Sequence, residues 1–135
     1  MLGLAVHHLA LRTRDLPRLV EFYTHVLALP LVRETAGYSV WLRAGEAFVM
    51  LEQAGDDEPA VPAGSRELVA FAVTAAGRDA VRERLAARGV ALDGETGFTT
   101  YFRDPDGRRV GVSTYPLTLE PGGPAPGGAR RGSPR

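Results

Sequence analysis

The strongest constraint on this chain is an internal repeat. His7–Thr13 (HHLALRT) corresponds to Glu67–Thr74 (ELVAFAVT), and each is followed by an amphipathic stretch at helical spacing. Farther on, Trp41–Val49 (WLRAGEAFV) corresponds to Tyr101–Gly111 (YFRDPDGRRVG), strand-like runs on either side of a turn. A repeated supersecondary unit of this size cannot bury its apolar face alone. Two units of the order βαβββ can, with a helix covering one face of each sheet. The fold class expected is α+β: two βαβββ modules forming a curled mixed sheet around a cavity, with the helices on the outer face.

The local patterns support that order. In His7–Thr13, Leu9 and Leu11 alternate with His8, Ala10 and Arg12, the period of a strand. Asp15 is placed to cap the next helix, and Pro17 fits its first turn. Leu16, Leu19, Val20, Tyr23, Val26 and Leu27 then recur at helical spacing, and Pro30 is expected to end the helix. Strands are predicted over Tyr38–Arg43 and Glu46–Glu52, with a further one between Leu31 and Thr35. Residues 53–65 are rich in Gly, Asp, Pro and Ala, and have no periodicity. The second module is predicted as a strand over Glu67–Thr74, a helix over Arg78–Arg88 stopped by Gly89, and strands over Thr99–Arg103 and Arg108–Tyr115. Asp104-Pro105-Asp106-Gly107 suits a type I hairpin turn between these last two. The resulting division is one domain over residues 1–116, with module one at about 1–53, a linker at 54–65 and module two at about 66–116. A disordered Pro/Gly/Arg tail is expected over 117–135.

Composition narrows the chemistry. There are 16 basic and 16 acidic side chains, so the net charge is zero. That balance argues against nucleic acid or an anionic membrane surface as partner. The arginines of the tail are too few to argue otherwise. No cysteine is present, which removes disulfides, thiolate metal sites and cysteine nucleophiles. The apolar start Met1–Val6 is too short for a signal peptide, and no apolar run reaches the ~20 residues of a membrane span. The expected location is the cytoplasm.

Three segments carry a resemblance. HHLALRTRDLPRLVEFYTHVLAL, ELVAFAVT and YFRDPDGRRVGV are similar, in order and spacing, to conserved stretches of the vicinal oxygen chelate superfamily, the relatives of glyoxalase, bleomycin-resistance protein and extradiol dioxygenases. Together they span roughly residues 6 to 115. The family's glycine near the end of the first segment is Ala28 here. The resemblance implies paired βαβββ modules and, in metal-dependent members, four ligands on four strands. Carried over position by position, those ligands fall on His8, Val49, Leu68 and Gly111. Three of the four cannot bind a metal ion, whereas a catalytic divalent site takes about three protein ligands. A slip in register would bring in Glu52 or Glu67 instead, but on a strand residue 67 faces away from 68.

The expected site is therefore an apolar pocket rather than a metal cup, lined by His8, Trp41, Val49, Leu68, Tyr101, Gly111 and Ser113. No metal and no cofactor are expected. His8 is the candidate catalytic residue, as base or hydrogen-bond donor; the competing role is an ordinary histidine satisfied by a neighbour. Trp41 and Tyr101 occupy matching positions, either to stack on a flat ligand or to fill core. Arg12 and Arg103 offer a charge at the rim or simply face solvent. Asp104 and Asp106 are explained by the turn. The function expected is sequestration of a small hydrophobic or aromatic molecule by a homodimer, as in the bleomycin-resistance branch. The opposing class is an enzyme, a glyoxalase-like lyase or isomerase or a dioxygenase with a degenerate or rebuilt metal site.

Overall fold

The computed structural model describes residues 1–117, and the tail expected to be disordered lies, from residue 118 on, outside the described residues. The chain divides into two compact units, with the boundary between Ala60 and Val61, inside the Gly/Pro-rich stretch. The class is α+β, and each unit has one helix and its own four-stranded mixed sheet.

The first unit holds β1 (His8–Thr13), α1 (Leu16–His25), β2 (Leu31–Thr35), β3 (Ser39–Ala44) and β4 (Ala47–Gln53). Its sheet order is β1-β4-β3-β2, with β1 parallel to β4 and the other pairs antiparallel. Asp15 caps α1 by accepting a hydrogen bond from the Arg18 amide at 3.2 Å, so two of the helix's orphan amide problems are eased by one side chain and Pro17. Leu16, Leu19, Phe22 and Tyr23 form its buried face. They pack with Val40, Leu42, Val49 and Leu51, all at most 3% exposed. Each such side chain contributes about 1.5–3 kcal/mol by leaving water.

The helix does not run to Pro30. It ends at His25, with Val26 as its cap, and Ala28 adopts φ +54°. The chain turns at Ala28, and Pro30 instead accepts the Arg43 amide at 2.9 Å, at the entrance to β2. The stretch after β4 is not a free linker at its start. Arg12 pairs with Glu58 at 2.6 Å and Glu52 at 3.3 Å, and Arg14 reaches the carbonyls of Asp56 and Glu58. The Arg12 guanidinium, with help from the Gly55 amide, pushes the Glu58 carboxyl down to about 2.

The second unit repeats the plan with β5 (Leu68–Ala72), α2 (Ala75–Ala87), β6 (Gly94–Glu95), β7 (Thr99–Arg103) and β8 (Arg109–Ser113). Its order is β5-β8-β7-β6, with β5 parallel to β8. The helix starts three residues before the periodicity suggests, because Thr74 caps it by accepting the Gly77 amide at 3.0 Å. Gly89 follows the helix at φ +70°, the left-handed stop that favours glycine. Val81, Leu85, Phe102, Val110 and Val112 are its core. In the β7–β8 hairpin the Asp104 carboxylate is fully buried, and accepts the amides of Asp106 and Arg108. That use of Asp104 is turn chemistry, as the sequence suggests.

Candidate functional site

Strand register decides which side chains share a face. In the first sheet Ala10 pairs with Met50 and Trp41 pairs with Met50, while Leu9 and Leu42 both pair with Val49. In the second, Ala70 and Tyr101 both pair with Gly111. The repeat therefore superimposes Met50, not Val49, on Gly111. This corrects the placement of Val49 in the site. Val49 is 1% exposed among Leu42 and Leu51, on the face that packs against α1, because side chains one residue apart on a strand point to opposite faces.

On the open face of the first sheet His8 and Trp41 lie side by side, with ring centroids 6.0 Å apart. Phe48 meets Trp41 edge-on at 5.3 Å, and Arg43 sits 4.1 Å over the Phe48 ring. His8 also shares a hydrogen bond with the neighbouring His7, Nδ1 to Nδ1 at 2.9 Å. His8 thus has a partner of its own. The third histidine, His25, bonds to its own helix and pairs with Glu21.

In the second unit Leu68, Tyr101 and Ser113 line one pocket of about 270 Å³, joined by Ala70, Ala72 and Thr99. All six belong to one face of β5, β8 and β7 by the alternation of the register. Gly111 lies at the centre of that face. A Cβ there would stand 3.2 Å from Thr99 Cγ2 and 3.5 Å from both Leu68 and Tyr101. The absence of a side chain at 111 is what lets those three groups converge. Thr99 donates to Ser113 Oγ at 2.8 Å, and that oxygen also accepts the Tyr115 amide. What is left to a ligand is mostly apolar wall and the Tyr101 ring. Tyr115 and Leu117 complete the mouth.

A residue that the sequence reading did not single out lies beside this pocket. Arg109 is 4% exposed and two residues from Gly111, hence on the same face of β8. Its guanidinium lies 4.1 Å over the Tyr101 ring, and its Nε donates to Asp93 at 2.9 Å. Arg103, also on this face, pairs with the same Asp93 oxygen at 3.1 Å. Burial pushes the Asp93 carboxyl up, but the two guanidiniums outweigh it and hold the group below its ordinary range. The signal for Arg109 was present in the two-residue alternation from Gly111. It was hidden because an arginine beside a turn reads as a surface residue.

The positions that the resemblance assigns to metal ligands do not fit a divalent ion. They carry an imidazole at His8, an aliphatic chain at Leu68 and nothing at Gly111. At the remaining position the register offers only the Met50 thioether. The acidic substitutes are occupied or misplaced: Glu52 pairs with Arg12, and Glu67 is exposed at the start of β5. Among the described residues, no three His, Cys, Asp or Glu side chains gather as a metal site.

Comparison with known proteins agrees with this architecture. The family model described as Glyoxalase/Bleomycin resistance protein/Dioxygenase superfamily matches residues 5–112. Lactoylglutathione lyase from Agrobacterium tumefaciens is similar in structure, with 24% identity and a TM-score of 0.65, over 84% of this chain and 95% of that one. An integron cassette protein from the mobile metagenome of V. cholerae has 29% identity and a TM-score of 0.65, over 86% and 98%. The fosfomycin resistance protein FosX from Mesorhizobium loti has 21% identity and a TM-score of 0.67, over 87% and 96%. With its two βαβββ units and a family match over most of its length, this chain belongs to the Glyoxalase/Bleomycin resistance protein/Dioxygenase superfamily.

Proposed function

We propose that the protein binds a small hydrophobic or aromatic organic molecule in the pocket of its second unit, and that holding the molecule, without metal-assisted chemistry, is its function. The observation that carries this reading is the pocket itself. It is an apolar hollow of about 270 Å³ on the sheet face that carries Gly111, the position where the family resemblance places a carboxylate. Leu68, Ala70 and Tyr101 line it with surface that gains by leaving water. An aromatic ligand burying ~200 Å² there gains about 5 kcal/mol. That corresponds to a Kd of roughly 0.2 mM before the losses of association are counted.

The test is a thermal-shift titration of 1-naphthamide, with and without a chelator, on the unaltered protein and on Ala70→Trp. Ala70 is exposed on the pocket face, so a large side chain there fills the hollow without removing a core group. The expected result is a dose-dependent rise in Tm that ignores the chelator and disappears in the variant. A rise retained in Ala70→Trp would overturn the pocket assignment. A rise abolished by the chelator would overturn the metal-independent reading.

A further inference from the structure

We propose that the ligand of this pocket is an anion, an aromatic or apolar body carrying a carboxylate, and that Arg109 is the residue that selects it. The inference rests on the pocket reading above and names the ligand class.

Three observations point the same way. First, the open face of the second sheet is chemically graded. Ala72, Thr99 and Ser113 stand at one end, Tyr101 and Gly111 in the middle, and Arg109 and Arg103 at the other. A molecule lying along it meets apolar wall, then an aromatic ring, then guanidinium groups. Second, the charges there do not cancel. Arg109 and Arg103 share the single carboxylate of Asp93, so two positive groups and one negative group leave one unit of positive charge. Third, the Arg109 Nη2 is buried without a hydrogen-bond partner among the described residues. A buried guanidinium nitrogen left unsatisfied is costly, and a charged acceptor is the partner that relieves it best.

The arrangement also fixes Arg109 in place. Its Nε is held by Asp93, and its plane rests on Tyr101, so little side-chain freedom remains to be lost when an anion binds. Leu68 is Arg109's neighbour in the β5–β8 ladder, and is 42% exposed. Charge on the ligand therefore supplies the affinity that apolar burial in so small a hollow does not.

The experiment compares 1-naphthoate with 1-naphthamide, two molecules of one shape that differ in charge, by calorimetric titration of the full chain. The variants are Arg109→Gln, Arg109→Lys and Asp93→Asn. In the unaltered protein naphthoate binds at least tenfold tighter than naphthamide. Arg109→Gln removes that preference, and Arg109→Lys restores part of it. Asp93→Asn leaves both guanidiniums without their shared counter-charge, and raises naphthoate affinity severalfold. A purely structural role for the cluster gives the opposite sign for Asp93→Asn, since losing either partner would then weaken binding alike. That result, or equal binding of the two compounds, overturns the anion assignment and leaves the pocket standing. Binding of neither compound overturns the pocket and the anion assignment together.

Discussion

Ala28 is the residue whose replacement tests the backbone argument most directly. It holds φ +54°, the single described non-glycine residue with positive φ. A Cβ in the left-handed region crowds the following carbonyl, at about 1–2 kcal/mol. Glycine removes that strain, but adds unfolded-state freedom worth about 0.4–1 kcal/mol. Ala28 is exposed, so no packing is lost with its methyl group. The difference predicts that Ala28→Gly stabilises the first unit by about 0.5–1 kcal/mol. In a chain of this size that raises Tm by roughly 2–4 °C. The chain has one tryptophan, Trp41, in the first unit, so its fluorescence follows urea unfolding there. The midpoint should rise with an unchanged slope. Ala10→Gly is the control, an exposed position in the extended backbone of β1. There glycine should cost about 0.5–1 kcal/mol. If Ala28→Gly lowers the midpoint as Ala10→Gly does, the strain argument is refuted and the turn tolerates a side chain freely.

Two further outcomes follow from the second unit. Thr74→Ala deletes the cap of α2 and should cost about 1 kcal/mol, seen as a lower urea midpoint by circular dichroism, with Thr74→Ser retaining most of it. Glu95 accepts from the Thr100 hydroxyl at 2.7 Å and from Arg82 Nε at 2.6 Å. Burial pushes its carboxyl up, but these two partners prevail and hold it below its ordinary value of 4.5. A depressed carboxylate stabilises the fold above that ordinary value, and loses its contribution as pH falls through the folded one. Glu95→Gln should therefore be less stable than the parent at pH 7, with the gap closing below about pH 4.5. Parallel stability curves across that range would show that the pair adds nothing to folding.

Much of the architecture was legible because it is written in local chemistry. Asp15, Pro17, Gly89 and the Asp104–Gly107 turn each act on the residues next to them, so a cap, a stop and a hairpin can be read in place. The repeat between His8–Thr13 and Leu68–Ala72 follows from period-two alternation, which burial then enforces. The start of α2 and the two-residue β6 were less legible. Ala75-Ala76-Gly77 looks like a loop until Thr74 caps it, and a pair of strand residues carries no pattern. The end of α1 was misplaced because a proline is a strong signal, while the left-handed turn at Ala28 comes earlier in the chain.

The site divides along the same line. His8, Trp41, Leu68, Tyr101, Gly111 and Ser113 lie on faces that alternation within each strand predicts. The loss of metal donors at Leu68 and Gly111 is a matter of residue type alone. The sequence by itself therefore determined two βαβββ units, their order, and the non-coordinating residues at Leu68 and Gly111. Only the tertiary structure decided that Met50 and not Val49 stands on the open face of the first sheet, because register between strands depends on which hydrogen-bond ladder forms. Only it brought Asp93, Arg103 and Arg109 to one carboxylate, since charges up to 16 residues apart in sequence meet through the pairing of β6, β7 and β8.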